Sequence, residues 1–183
     1  MIDLLGENGV AAITIIIYSQ FLLNTLYIGY SIGIAPVIGF NYGNKNDVQQ
    51  KKVFRISMGF IAAASVLIFS VSMFGSSHIV RLFAEDTSEV YQIAANGFTI
   101  FSFSFLFCGL NNFTSAMFTA LSNGKVSAVL SFLRTFGLLA GGILLLPRIW
   151  GTTGVWMAVP IAEGIMFFVS MICLIHFRKR YSY

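Results

Sequence analysis

Charge is scarce in this sequence: of 183 residues only 10% are Asp, Glu, Lys or Arg, against roughly 25% in a soluble globular domain. That shortage excludes an ordinary soluble enzyme, and a hydrophobic content of 57% excludes disorder, because so apolar a chain cannot stay solvated. Histidine and cysteine are equally sparse. His78 and His176 are too few and too far apart to make a metal site by themselves, and no Asp-rich pair is present to hold a divalent ion. Cys108 and Cys173 fall inside apolar runs, where a reduced, packed thiol is the ordinary outcome. Two motifs are also missing. Without Gly-x-x-x-x-Gly-Lys-Ser/Thr there is no phosphate loop, and without Gly-x-Ser-x-Gly no serine-nucleophile elbow, so an enzyme is not expected and no cofactor is implied.

What is present is long apolar runs. Hydrocarbon about 30 Å thick needs roughly 20 helical residues, and five runs meet that length, at about residues 10–40, 54–74, 93–121, 126–146 and 155–177. Transmembrane strands would be shorter and would alternate polar with apolar. The expected fold class is therefore all-α, a polytopic membrane helix bundle of five spans with the lipid bilayer as its solvent. Pro147 is expected to stop the fourth span. Between the second and third, Ile79, Val80, Leu82 and Phe83 precede Glu85-Asp86-Thr87-Ser88-Glu89; this reads either as a short interfacial helix followed by an N-cap at Thr87 or Ser88, or as an irregular loop.

The few charges are informative by position. With alternating helices, Lys45, Lys51, Lys52, Arg55, Lys125, Arg134, Arg178, Lys179 and Arg180 fall on one side, and only Arg81 and Arg148 on the other. The positive-inside rule makes the first side cytoplasmic, which puts the C terminus inside and the N terminus of the chain outside. It also explains the basic balance without nucleic acid as a partner. An acidic, external N terminus lacking a signal peptide leads to the expectation that this chain is a piece of a longer one, cut before its first span.

Ionisable groups at membrane depth cost at least ~2.5–3.5 kcal/mol each on insertion scales. Glu163 and Arg134 are the two such groups, at similar depth. They read as a structural ion pair, or as a titrating carboxylate and a wall of a transport path. Gln20 and Asn24 share a helical face by their i, i+4 spacing, and Asn111 and Asn112 lie near the centre of the third span; all four either bond across helices or line a cavity. Pro36 is expected to interrupt the first span, and Pro160, just before Glu163, to open the last one locally; each serves either a gate or a static kink. Gly29-x-x-x-Gly33 and Gly137-x-x-x-Gly141 fit the small-residue pattern for close helix contact.

Three segments carry a family likeness. Gly33-Ile34-Ala35-Pro36-Val37-Ile38-Gly39-Phe40-Asn41-Tyr42-Gly43-Asn44-Lys45-Asn46 resembles the end of the eighth helix and the following loop of multidrug and toxic compound extrusion (MATE) transporters, in particular their bacterial MepA-like branch. Leu133-Arg134 and Gly151-x-x-Gly154-Val155-Trp156-x-Ala158-x-Pro160-Ile161-Ala162-Glu163 resemble the start of the eleventh helix and the last helix. The resemblance implies helices eight to twelve of a twelve-helix protein of the cell membrane. The N-terminal lobe and helix seven of the same protein would be the missing partner. It also implies export of small organic cations or drugs in exchange for Na+ or H+, with Gln20, Asn24, Asn111 and Asn112 facing the central cavity. One departure stands out: some relatives carry an acid in the tenth helix, where the third span here has only amides and hydroxyls. A lipid-linked saccharide flippase of the same superfamily, or a truncated membrane protein that does not transport, are the competing readings.

Overall fold

The computed structural model describes residues 2–85 and 87–183, with side chains from residue 6 onward. Its regular elements are all helical: α1 (Ile2–Gly43), α2 (Asp47–Arg81), α3 (Glu89–Ser102), α4 (Phe105–Ala120), α5 (Gly124–Phe132), a π-helical stretch (Leu133–Ala140) and α6 (Gly141–Tyr181). The runs Gly6–Gly43, Asp47–Arg81 and Gly124–Tyr181 are each long and apolar enough to cross a bilayer, and α3 with α4 makes a further crossing bent by 56°. The last run is two legs. Gly151, at φ 57° and ψ −133°, takes a conformation that L side chains rarely adopt and turns the chain back on itself. Gly142 then lies against Ala158, and Gly154 against the Leu146 carbonyl. The result is an all-α, multi-pass membrane bundle of five legs.

Several local expectations need correction. The fourth leg does not stop at Pro147; helix continues past it to Gly151, because proline sits in the turn before a glycine that performs the reversal. Nor is α1 interrupted at Pro36 or α6 at Pro160: both keep helical backbone there, the missing N–H costing one bond in helices held by their neighbours. Among the described residues of the connection at 76–92 there is no separate interfacial helix, since α2 runs on to Arg81. Ser88 does cap α3, its hydroxyl accepting from the Tyr91 amide at 3.1 Å; Asp86 lies outside the described residues. The third span is broken at Phe103 and Ser104 rather than continuous. Gly29, Gly33 and Gly141 have open space where a Cβ would stand, and Gly137 meets only Leu133 of its own helix. Close approach falls elsewhere, at Gly97 beneath the Trp156 ring and Gly109 beneath the Tyr27 ring.

The outer surface has the composition of one that faces lipid or other apolar helices. Phe74 is 85% exposed, Phe21 71% and Phe40 70%, a density of bare aromatics that a protein in water does not sustain. Inside, buried apolar side chains form two clusters. One holds Tyr27, Phe98, Phe101, Phe105 and Trp156, the other Phe113, Met117, Phe118, Met166 and Tyr181. In α4 the boundary falls between Cys108 and Leu110, and in α6 between Trp156 and Met166. Asn111 and Glu163 stand close to that boundary. The ends of the bundle also differ. Tyr42 meets Tyr181 edge to face and Phe118 meets Tyr181, so the 43–47 turn, the 121–124 turn and the C-terminal end of α6 share one end, with Lys45, Lys51, Lys52, Arg55, Lys125, Arg178, Lys179 and Arg180. At the opposite end Asn8 donates to Glu89 at 2.7 Å.

Candidate functional site

The polar residues between the two apolar clusters form one connected network. Arg134 enters it from the π-helical stretch; by the 1.5 Å rise it stands about 15 Å along the axis from Gly124, near the middle of a 30 Å hydrocarbon layer. Its Nε donates to Glu163 Oε1 at 2.8 Å, and its Nη2 lies 2.7 Å from the same oxygen, the two bonds orienting the guanidinium. Its Nη1 donates to Asn112 Oδ1 at 2.6 Å. Glu163 Oε2 accepts from Asn111 Nδ2 at 2.8 Å, and the same amide also donates to the Glu163 carbonyl at 3.0 Å. Ser170 closes the chain, donating to Asn111 Oδ1 at 2.9 Å.

Each partner is placed by its helix. Asn111 and Asn112 are adjacent in α4 and point about 100° apart, so one takes the carboxylate and the other the guanidinium. Glu163 and Ser170 are two turns apart on one face of α6, and both reach Asn111. The π-helical stretch that carries Arg134 widens the turn and re-aims the side chains on it, a device common at functional sites. Glu163 is 6% exposed, so a bare carboxylate there would cost several kcal/mol, ~3–5 by the measured effect of stripping one partner from a buried pair. Here both its oxygens and the charge of Arg134 are satisfied.

Gln20 and Asn24 part company. Asn24 Oδ1 accepts from the Cys108 thiol at 3.1 Å, which ties α1 to α4 one turn from Asn111. Gln20 instead lines an apolar cavity of about 250 Å3 with Ile16, Phe101, Ile143, Trp156 and Val159. Val159, which lines it, is one helical turn from Glu163, while no residue of the network lines the cavity itself. Pro36 and Pro160 bond nothing in it, and Pro160 is packed in the interior of α6.

The MatE family model matches residues 1–140 of the chain, well over half its length. The chain belongs to the MatE family. It is similar to the multidrug export protein MepA of Staphylococcus haemolyticus, 23% identical over 161 residues that cover 85% of this chain and 34% of the relative. Among solved structures it is similar to the Vibrio cholerae MATE transporter VcmN, in a mutant form, with TM-score 0.88 and 21% identity over 97% of this chain and 41% of that one. An outward-facing multidrug resistance MATE family transporter of the MOP superfamily is similar at TM-score 0.85 and 20% identity, again over 97% and 41%. The MatE chain thus spans about a third to two fifths of the length of these relatives. At such identities the solved structures establish the fold, and it is the fold found here.

Two parts of this MatE site escape a reading of sequence. Ser170 is one of many serines, and its signal is only the seven-residue step from Glu163. The π-helical stretch gives a weaker cue, only Gly137 in its middle.

Proposed function

We propose that this chain forms part of the C-terminal lobe, helices eight to twelve, of a MATE-type exporter. With an N-terminal lobe and a seventh helix from elsewhere in a longer protein, it would expel small organic cations or drugs from the cell in exchange for Na+ or H+. Family membership supports the class. The observation that carries the reading is the cavity beside Gln20, which is apolar, is lined by Val159 one helical turn from Glu163, and so offers an aromatic-lined space near a polar relay. By the positive-inside rule the cationic end of the bundle would face the cytoplasm of the cell membrane.

Charge in the interior favours a cation over the lipid-linked saccharide of the flippase reading. Among the described residues the one cation deep in the bundle, Arg134, is already neutralised by Glu163 and Asn112, leaving none to hold a pyrophosphate. The test is efflux by the full-length protein in cells stripped of their own drug pumps. Export of several cationic dyes, abolished when the ion gradient is collapsed, is the expected result. An unchanged dye content and an unchanged resistance profile would refute it.

A further inference from the structure

A second cavity lies at the cationic end of the bundle, away from Glu163. It is a groove of about 330 Å3 between the start of α2 and the end of α6, lined by Lys51, Phe54, Arg55, Met58, Met171, Leu174, Ile175, Arg178 and Tyr183. The two walls carry the same order. Going inward along α2, Lys51 and Arg55 give way to Met58; going inward along α6, Arg178 gives way to Leu174, Ile175 and Met171. Each wall therefore changes from cationic to apolar over seven residues, about 10 Å of helix.

Tyr183 joins the walls. Its ring packs 4.6 Å from that of Phe54, its hydroxyl donates to the Leu174 carbonyl at 2.9 Å, and its terminal backbone oxygen accepts from Arg178 Nε at 3.2 Å. Burial pushes its phenol well above the usual range, so it remains a neutral donor beside the cations. Lys51 and Arg55 meet no ion-pair or hydrogen-bond partner among the described residues. Asp47, one turn before Lys51, is the acid nearest in sequence, and it does not line the groove. Lys51 and Arg55 thus stand at a membrane interface above an apolar slot without the counter-charge that Arg134 has within the chain, while Arg178 is held at its Nε by the Tyr183 oxygen and keeps its other donors for a ligand.

We propose that this groove binds one anionic phospholipid, with its phosphodiester among Lys51, Arg55 and Arg178 and the start of an acyl chain along Met58, Leu174 and Met171. The matched ordering of both walls fits an amphiphile and gives a free phosphate no use for the apolar half. This site stands apart from the transport reading and needs only that the bundle sit in a membrane.

The test uses the full-length protein in detergent, with phosphatidylglycerol or phosphatidylcholine of the same acyl chains added and bound lipid counted by native mass spectrometry. Phosphatidylglycerol should be retained preferentially. At about 1 kcal/mol for each cation near the surface, each one removed should cost about fivefold and all three about a hundredfold in that preference. The variant is Lys51→Gln, Arg55→Gln, Arg178→Gln. Its control, Lys52→Gln, Lys179→Gln, Arg180→Gln, removes equal charge from the same end but outside the groove and should keep the preference. Met58→Trp, which fills the slot and leaves the cations, should also lower retention, and guards against a triple variant that fails to fold. Equal retention of the two lipids by the unaltered protein, as expected if another helix of the longer chain occupies the groove, would overturn the proposal. So would equal loss in groove and control variants, or displacement of the lipid by millimolar inorganic phosphate.

Discussion

Arg134 and Arg55 carry the same guanidinium at opposite depths and meet opposite surroundings. At the middle of the bundle every donor direction of Arg134 that the network uses ends on this chain's own oxygens, from Glu163 and Asn112. At the cationic end Arg55 and Lys51 meet none among the described residues. Solvent explains the contrast: hydrocarbon supplies no counter-charge, so the chain must supply it, whereas the interface offers water and lipid phosphate. Charge is thus satisfied within the chain at Arg134 and left open at Lys51 and Arg55, where the membrane can answer it.

The largest test of that contrast breaks the deep pair. Glu163→Ala leaves Arg134 buried without its carboxylate, and about 3–5 kcal/mol of stability should be lost, visible as a lowered thermal transition and poor folded yield in detergent. Removing both charges, with Arg134→Met and Glu163→Leu, should recover most of it; a double variant no better than the single would mean the charges matter through something besides each other. A smaller loss tests whether apolar packing on either side of the network holds the bundle equally. Gly109→Ala drives a methyl into the buried Tyr27 ring, 2.7 Å from where it would stand, and should cost about 1–3 kcal/mol with the network intact. Ser170→Ala removes one bond to Asn111 and should cost about 0.6 kcal/mol, at most ~1.7, as single interhelical bonds in membranes do. At the other extreme Arg55→Gln should leave the thermal transition unchanged; a large fall would show that the interfacial cation has a partner within the protein after all.

How much of this was legible in sequence follows from the same physics. Span number was readable because hydrocarbon demands runs of fixed length, and the clustering of cations at one end followed from alternation. Arg134 and Glu163 announced themselves because charge in such runs is rare, and their joining rested on matched depth. Legibility failed where a residue's effect depends on its neighbours. Pro36 and Pro147 look like breaks in one dimension, yet packed helices carry them, while Gly151 makes the reversal that Pro147 was expected to make. The Gly29 and Gly33 pair matches a contact motif but faces open space, whereas Gly97 and Gly109, outside any motif, receive aromatic rings. Gln20 and Asn24 share a helical face, yet one lines a cavity and the other takes the Cys108 thiol.

Under the proposed function the Glu163 network would serve transport and do more than lock helices together. The direct measurement is dye efflux by full-length Glu163→Gln at matched membrane abundance. Glutamine keeps the size of the side chain and an oxygen for Asn111 or Arg134, while its charge and any titration are lost. Efflux should fall severalfold while abundance and thermal transition stay close to those of the unaltered protein. Efflux equal to the unaltered protein's at equal abundance would contradict it and reduce the network to a structural clasp.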